Sequence, residues 1–201
     1  MQDDNGGISI ATVCGSVRPG NYTTKVLDLV IDELARTPEI TVDAIDPATL
    51  SLGFPGLGEV SPQLEEARGL VDGATGLILA TPGYHGSYSS VIKSFIDNLG
   101  FPSKMAGKPV ALLGVAAGQI GAVKALEHLR SVCSHVGAIV LPGPVSVADV
   151  QEAFDENGRC LDEDLERRIR DLATYLLDYV HQSVCPSICL EAMVRVGASQ
   201  D

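Results

Sequence analysis

Basic residues are scarce in this chain: 14 Lys and Arg stand against 26 Asp and Glu, a formal charge of −12 over 201 residues. So acidic a surface repels a phosphate backbone, which argues against generic binding to nucleic acid or to an anionic membrane. One local basic group can still hold a small anion. Long hydrophobic runs are missing too. Stretches such as Leu77 to Ala80 and Val110 to Val115 fall far short of the about 20 residues that a membrane-spanning helix needs. The opening MQDDNGG has neither the basic segment nor the apolar stretch of a secretory signal, so a soluble cytoplasmic protein is expected. The five cysteines, Cys14, Cys133, Cys160, Cys185 and Cys189, are odd in number and widely spread. Reduced thiols are therefore expected rather than a disulfide framework. Internal repeats and low-complexity segments are absent as well.

What is present is an alternation of short apolar runs with amphipathic stretches. Ile8 to Cys14 is rich in β-branched residues and stops at Gly15, which predicts a buried strand and a tight turn. Thr23 or Thr24 then caps a helix with Val26, Leu27, Val30, Ile31 and Leu34 on one face. Ile40 to Ile45 predicts an edge strand, and the Gly- and Pro-rich residues 47–62 a loop. A helix over about Ser61 to Val71 leads to a central strand at Gly76 to Ala80. A helix from Ser89 or Ser90 to Leu99, a strand at Pro109 to Val115, a helix carrying Leu126, Leu129, Cys133 and Val136, and a fifth strand at Ala138 to Leu141 follow. Leu165, Ile169, Leu172 and Leu176 mark a last amphipathic helix. Such alternation predicts an α/β three-layer sandwich with a five-stranded parallel sheet of order 2-1-3-4-5, the flavodoxin-like arrangement. One domain is expected over residues 1–180, with 181–201 as a tail or docking arm.

In an open parallel sheet, ligands bind beyond the carboxyl ends of the strands near the switch point, so three loops matter. The first, Gly15 to Thr24, sets glycines, small hydroxyl and amide side chains and Arg18 before a helix, a setting suited to a phosphate. An ordinary capped turn explains part of this pattern. Two familiar phosphate loops are excluded here. A nucleoside-triphosphate loop needs Lys where Asn21 stands, and the dinucleotide fingerprint needs a second Gly where Val17 stands. A monophosphate fits better. The second loop, Thr81 to Tyr88, offers Tyr84, His85 and Tyr88 beside flexible glycines and can wrap a flat ring, or merely cover an apolar edge. In the third, Ala116 to Ala122, small residues let a planar ligand approach the backbone. No metal site is expected: His85 has no partner at ligand spacing, and the Cys185/Cys189 pair is too small for a closed zinc site.

The stretches GSVRPGNYTTKV, TPGYHGSYSSVIKSFID and GVAAGQIGA resemble the NAD(P)H-dependent FMN reductases of flavodoxin-like fold, a family with azoreductase, quinone-reducing and chromate-reducing members. The likeness in element order spans about Ile8 to Val180. It implies FMN as cofactor, NADPH or NADH as donor, a small-molecule electron acceptor and a homodimer or homotetramer. By that resemblance Ser16, Arg18, Asn21, Tyr22 and Thr23 hold the FMN phosphate. Pro82, Gly83, Tyr84, His85, Gly86 and Ser87 run along the ribityl chain and ring, and Ala117, Gly118 and Gly121 line the ring from the third loop. The family usually has Glu where Gly83 stands and Asn where His85 stands. Flavin placement is expected to survive those departures, which bear instead on nicotinamide affinity, acceptor choice and subunit contacts. No side-chain catalyst is implied, since the cofactor carries the redox chemistry. His128 and His135 are expected to be solvated or packed. A flavodoxin-type electron carrier shares the fold and the phosphate loop and is the alternative; turnover with a nicotinamide separates the two.

Overall fold

The computed structural model describes residues 7–55, 57, 60–155 and 157–186. The N-terminal segment and Cys189 therefore lie outside the described residues, as does most of the expected tail. Strands β1 (Ile8–Cys14), β2 (Ile40–Ile45), β3 (Gly76–Pro82), β4 (Pro109–Val115), β5 (Ile139–Val140) and β6 (Val145–Val147) form one sheet. All pair in parallel, in the order β2-β1-β3-β4-β5, with β6 also on β4. The main helices are α1 (Tyr22–Leu34), α2 (Pro62–Gly73), α3 (Ser90–Asp97), α4 (Val123–His135), the short α5 (Val150–Ala153) and α6 (Glu163–Tyr179).

Both faces of the sheet are covered, which is why β3 and β4 are buried at every position and, Thr81 apart, carry no polar side chain. Val26, Leu27 and Val30 of α1 and Ile169, Leu172 and Leu176 of α6 pack with Ile10 and Ile78 on one face. Ala67 and Val71 of α2, Ile92 and Phe95 of α3, and Leu126 and Leu129 of α4 pack with Val13 and Leu77 on the other. The edge strand β2 pairs only with β1, as its thinner apolar content implies. Arg170 on α6 ties its helix to α1, reaching Asp32 at 2.6 Å and bonding Glu166 on its own helix at 2.9 Å.

The fifth strand departs from expectation. Its run holds only two paired residues, Ile139 and Val140, before Pro142-Gly143-Pro144, and the chain then rejoins β4 through Val145–Val147. The cause is chemical: neither proline has an N–H to give to the ladder. Asn21, not Thr23 or Thr24, caps α1, and α3 ends at Asp97, two residues early, although Leu99 stays buried. Beyond α6, where no fold signal was expected, Val180–Val184 continue the helix with a wider π-type winding. Among the described residues, Cys14, Cys133, Cys160 and Cys185 are free thiols. No helix among them is long and apolar enough to cross a membrane.

Candidate functional site

β1, β3 and β4 are neighbours, so the loops that leave their carboxyl ends stand side by side. β1 passes the chain to Gly15, whose N–H donates to the Ala80 carbonyl at 2.7 Å. Only glycine fits there, because a Cβ would overlap Ile92 Cγ1 and lie 2.6 Å from the Ala80 oxygen. Ser16 follows. It is 5% exposed, and its hydroxyl has no hydrogen-bond partner among the described residues. A buried hydroxyl left unpaired costs about 1–3 kcal/mol, and this one stands just before the N-terminus of α1. It is a ready donor to an anion there.

The neighbouring residues differ in whether their side chains are already engaged within the loop. Arg18 is exposed and, among the described residues, has no carboxylate partner. Thr23 is buried in the first turn of α1. Asn21, expected to touch a phosphate, uses its side chain on the loop itself. Its Oδ1 accepts from Thr24 N–H at 2.8 Å, and its Nδ2 donates to the Arg18 carbonyl at 2.7 Å. Lys25, which the sequence did not single out, brings a second cation: its Nζ is 4.8 Å from the centroid of the Tyr22 ring.

The second loop is a two-residue turn. Tyr84 and Ser87 exchange backbone hydrogen bonds of 2.8 and 2.9 Å, with His85 at φ 49° and Gly86 at φ 76° between them. Both central residues at positive φ is the tight hairpin geometry that suits glycine and strains histidine. Pro82 is buried at the end of β3, and Gly83 N–H donates to the Val115 carbonyl at 2.8 Å. Ser87 Oγ lies 3.0 Å from Nδ1 of His128 on α4, so this histidine is joined to the site rather than merely solvated. The third loop leaves Ala117 and Gly118 exposed and Gly121 half-buried. β6 shapes it from behind: Ser146 Oγ accepts from Ala122 N–H at 2.9 Å, and the Val147 carbonyl accepts from Ala116 N–H at 2.9 Å. Ser146 could not be found from sequence, since it lies 24 residues beyond its partner.

Each loop also leaves one large apolar side chain in solvent, Val17 at 46%, Tyr84 at 41% and Ile120 at 80% exposed. They give this edge an apolar character that suits a flat, partly apolar ligand. A cavity of about 420 Å³ opens beside the first loop, lined by Thr12, Ser16, Arg18, Asp28 and Asp46. Thr12 Oγ1 is likewise buried and unpaired there, and burial raises the Asp28 carboxyl above its ordinary range. A larger concavity, about 690 Å³, lies elsewhere, between Ser51, Phe54, Leu57 and Val60 and the ends of α3 and α4. It is lined by the exposed Phe54 and Phe101, and its Arg68 is already bonded to Glu65 at 3.0 Å and to the Asn98 carbonyl at 2.6 Å, so the chemistry is better placed at the three loops. The unpaired Ser16 hydroxyl, the helix N-terminus and unpartnered Arg18 together fit a phosphomonoester, and the apolar edge beyond fits a ring.

Known proteins are similar to this chain. The model of the NADPH-dependent FMN reductase family matches residues 8–152. A Pseudomonas aeruginosa protein named NAD(P)H-dependent FMN reductase is 32% identical over 174 residues, covering 81% of this chain and 88% of its own length. A 2-hydroxy-1,4-benzoquinone reductase of Burkholderia sp is 29% identical over 168 residues, covering 81% of this chain and 91% of its own. Among solved structures, the flavoenzyme NAD(P)H:(acceptor) oxidoreductase FerB of Paracoccus denitrificans superposes with a TM-score of 0.73 at 24% identity, over 87% of this chain and 98% of that one. At that identity the likeness speaks for the fold. The family match spans most of the sheet and all three loops, and the chain belongs to the NADPH-dependent FMN reductase family.

Proposed function

We propose that this chain binds FMN across the three loops and serves as an NAD(P)H oxidoreductase toward a quinone, a second flavin, an azo compound or a similar small acceptor. The observation that carries the reading is the buried, unpaired Ser16 hydroxyl ahead of α1. When bound, FMN would supply the two-electron redox chemistry between a nicotinamide donor and the acceptor. The chain's own work is to hold and orient. Ser16, Arg18, Tyr22 and Thr23, with the first N–H groups of α1, hold the phosphate, while Asn21 shapes the loop around it. The turn from Pro82 to Ser87 lies along the ribityl chain and one edge of the ring. Ala117, Gly118 and Gly121 bring bare backbone close to the ring and exclude water from that side. No side chain needs to act as nucleophile. The exposed Val17, Tyr84 and Ile120 favour a flat conjugated acceptor such as a quinone.

Residues 1–180 act as one FMN-binding unit in the cytoplasm, with 181–201 as a tail or docking arm. A second copy of the chain covers the exposed Phe54, Leu57, Val60 and Phe101, giving a homodimer or homotetramer.

The test is the visible spectrum of the protein incubated with FMN and desalted, before and after anaerobic NADPH or NADH. Retained flavin bands that bleach with either nucleotide and return on adding benzoquinone are expected. Flavin retained but unbleached by both would reduce the protein to an electron carrier, and no retained flavin at saturating FMN would discard the three-loop site.

A further inference from the structure

We propose that His128 is a positioning residue of this site: through Ser87 it anchors the second loop to α4 and sets which way the Ser87 hydroxyl presents itself to the cofactor. The inference rests on the reading that the second loop meets FMN. It starts from the tip of that loop, since the flanks are held: Gly83 N–H donates to the Val115 carbonyl at 2.8 Å and Thr81 Oγ1 accepts from Ser89 N–H at 3.0 Å. The Tyr84–Ser87 turn is closed by two backbone bonds to itself, and His85 sits at φ 49°, which a non-glycine residue adopts at a cost. A turn bonded only to itself can swing as a unit. Among the described residues, the one side-chain hydrogen bond from this turn to another element is Ser87 Oγ to His128 Nδ1, 3.0 Å across 41 residues of sequence.

His128 is on a rigid support. The next residue, Leu129, and the preceding turn's Ala125 and Leu126 are buried in the core, so the backbone that carries the imidazole is fixed against the sheet. α4 also begins directly after the third loop, whose Ala122 is bonded to Ser146. The Ser87–His128 bond therefore joins the second loop to the element that the third loop leads into. It keeps the two walls of the ring site at a set spacing.

The bond also has a direction. With a neutral imidazole carrying its proton on Nε2, Ser87 must donate to Nδ1, and its oxygen is left as an acceptor toward the cofactor. With the proton on Nδ1, His128 donates and the Ser87 hydrogen is free to be given away. A methyl group or an alkyl chain at position 128 removes both the anchor and this control, whereas an amide near the Nδ1 position can replace them.

The test is FMN affinity of the flavin-free protein, read by quenching of flavin fluorescence, for wild type, H128A, H128L, H128N, S87A and the double variant S87A/H128A. One lost hydrogen bond predicts a dissociation constant raised about three- to tenfold in H128A, H128L and S87A. If the two side chains act as one unit, the double variant binds no worse than the weaker single one, and H128N recovers most of the wild-type affinity. Thermal midpoints within a degree or two of wild type keep the comparison one of folded proteins. Should H128A and H128L bind FMN as wild type does, or should the losses simply multiply in the double variant, His128 has no positioning role. Wild-type protein that fails to bind FMN at all would overturn the proposed function, and this inference with it.

Discussion

The Ser89 hydroxyl donates to the Gly15 carbonyl at 2.6 Å, joining the second strand-end loop to the first across 74 residues of sequence. The same oxygen accepts from Ile92 N–H at 3.2 Å as the cap of α3, and Ser89 N–H donates to Thr81 Oγ1 at 3.0 Å. All of this is buried. Ser89→Ala deletes a helix cap and leaves a buried carbonyl without its donor, so a stability loss of about 1–3 kcal/mol is expected in urea unfolding. Weaker FMN retention should accompany it, because Gly15 sets the path of the phosphate loop. An unchanged urea midpoint would show that a water replaces the hydroxyl.

Arg18 is exposed, so its contribution to anion binding is screened by solvent. Arg18→Ala should raise the FMN dissociation constant by about three- to thirtyfold and flatten its dependence on salt. Arg18→Lys should recover part of the loss, since it restores the charge without the two-pronged donor. Titrations at low and high NaCl measure both effects. Equal affinity and equal salt slope in Arg18→Ala would remove the guanidinium from the phosphate site.

Two glycines of the site should respond oppositely to one added methyl group. At Gly15 the new Cβ would overlap Ile92 and sit 2.6 Å from the Ala80 backbone oxygen, where Cys14 and Ala80 are paired in the sheet. The strand cannot yield without losing register, and Gly15→Ala should cost about 1–3 kcal/mol or more. At Gly83 the nearest atoms, on Ala122 and Ala116, are 3.6 to 3.7 Å away, ordinary contact. Gly83→Ala should stay within about 0.5 kcal/mol of wild type. Thermal or urea unfolding of the pair checks the contrast, which fails if both variants shift alike.

β1, β3 and β4 were legible in the sequence because a strand buried on both faces writes itself as an apolar run between turn residues, and right-handed crossovers then leave few orders to choose from. β6 was not legible: Val145–Val147 is only three residues long after two prolines, and what makes it a strand is its pairing with Leu113 to Val115, a distant partner. The site divides the same way. Loop positions and residue types pointed to a phosphate beside a ring, since both follow from local chemistry. The contacts that hold the loops were hidden. Ser89 reads as a helix cap from sequence, but its bond to Gly15 depends on how β1 and β3 pack, as Ser87 to His128 and Ala122 to Ser146 depend on α4 and β6. Asn21 has a part that its residue type alone did not show: the cap geometry ties its side chain to Thr24 and Arg18.

Cys133 gives the fold a specific alkaline weakness. Its side chain is fully buried on α4 among Leu129, Leu99 and Val110, and that burial pushes the thiol from 9.0 up to about 12. The unfolded chain therefore releases this proton near 9.0, while the folded chain keeps it until about 12. Between those values the native state binds more protons than the unfolded state, so stability falls as pH rises across the window. Below about pH 8 both states hold the proton and the thiol adds no slope. Urea unfolding of wild type and Cys133→Ala at pH 7, 9 and 10.5 separates this effect from the titration of Lys and Tyr, which both proteins share. Cys133→Ala should be less stable at pH 7, having lost packing, and the gap should narrow as pH rises because only wild type pays for the buried thiol. The native thiol should also resist aqueous disulfide reagents at pH 8 until the chain is unfolded. A stability gap that stays constant from pH 7 to 10.5 would mean that Cys133 ionises in the folded protein as readily as in water.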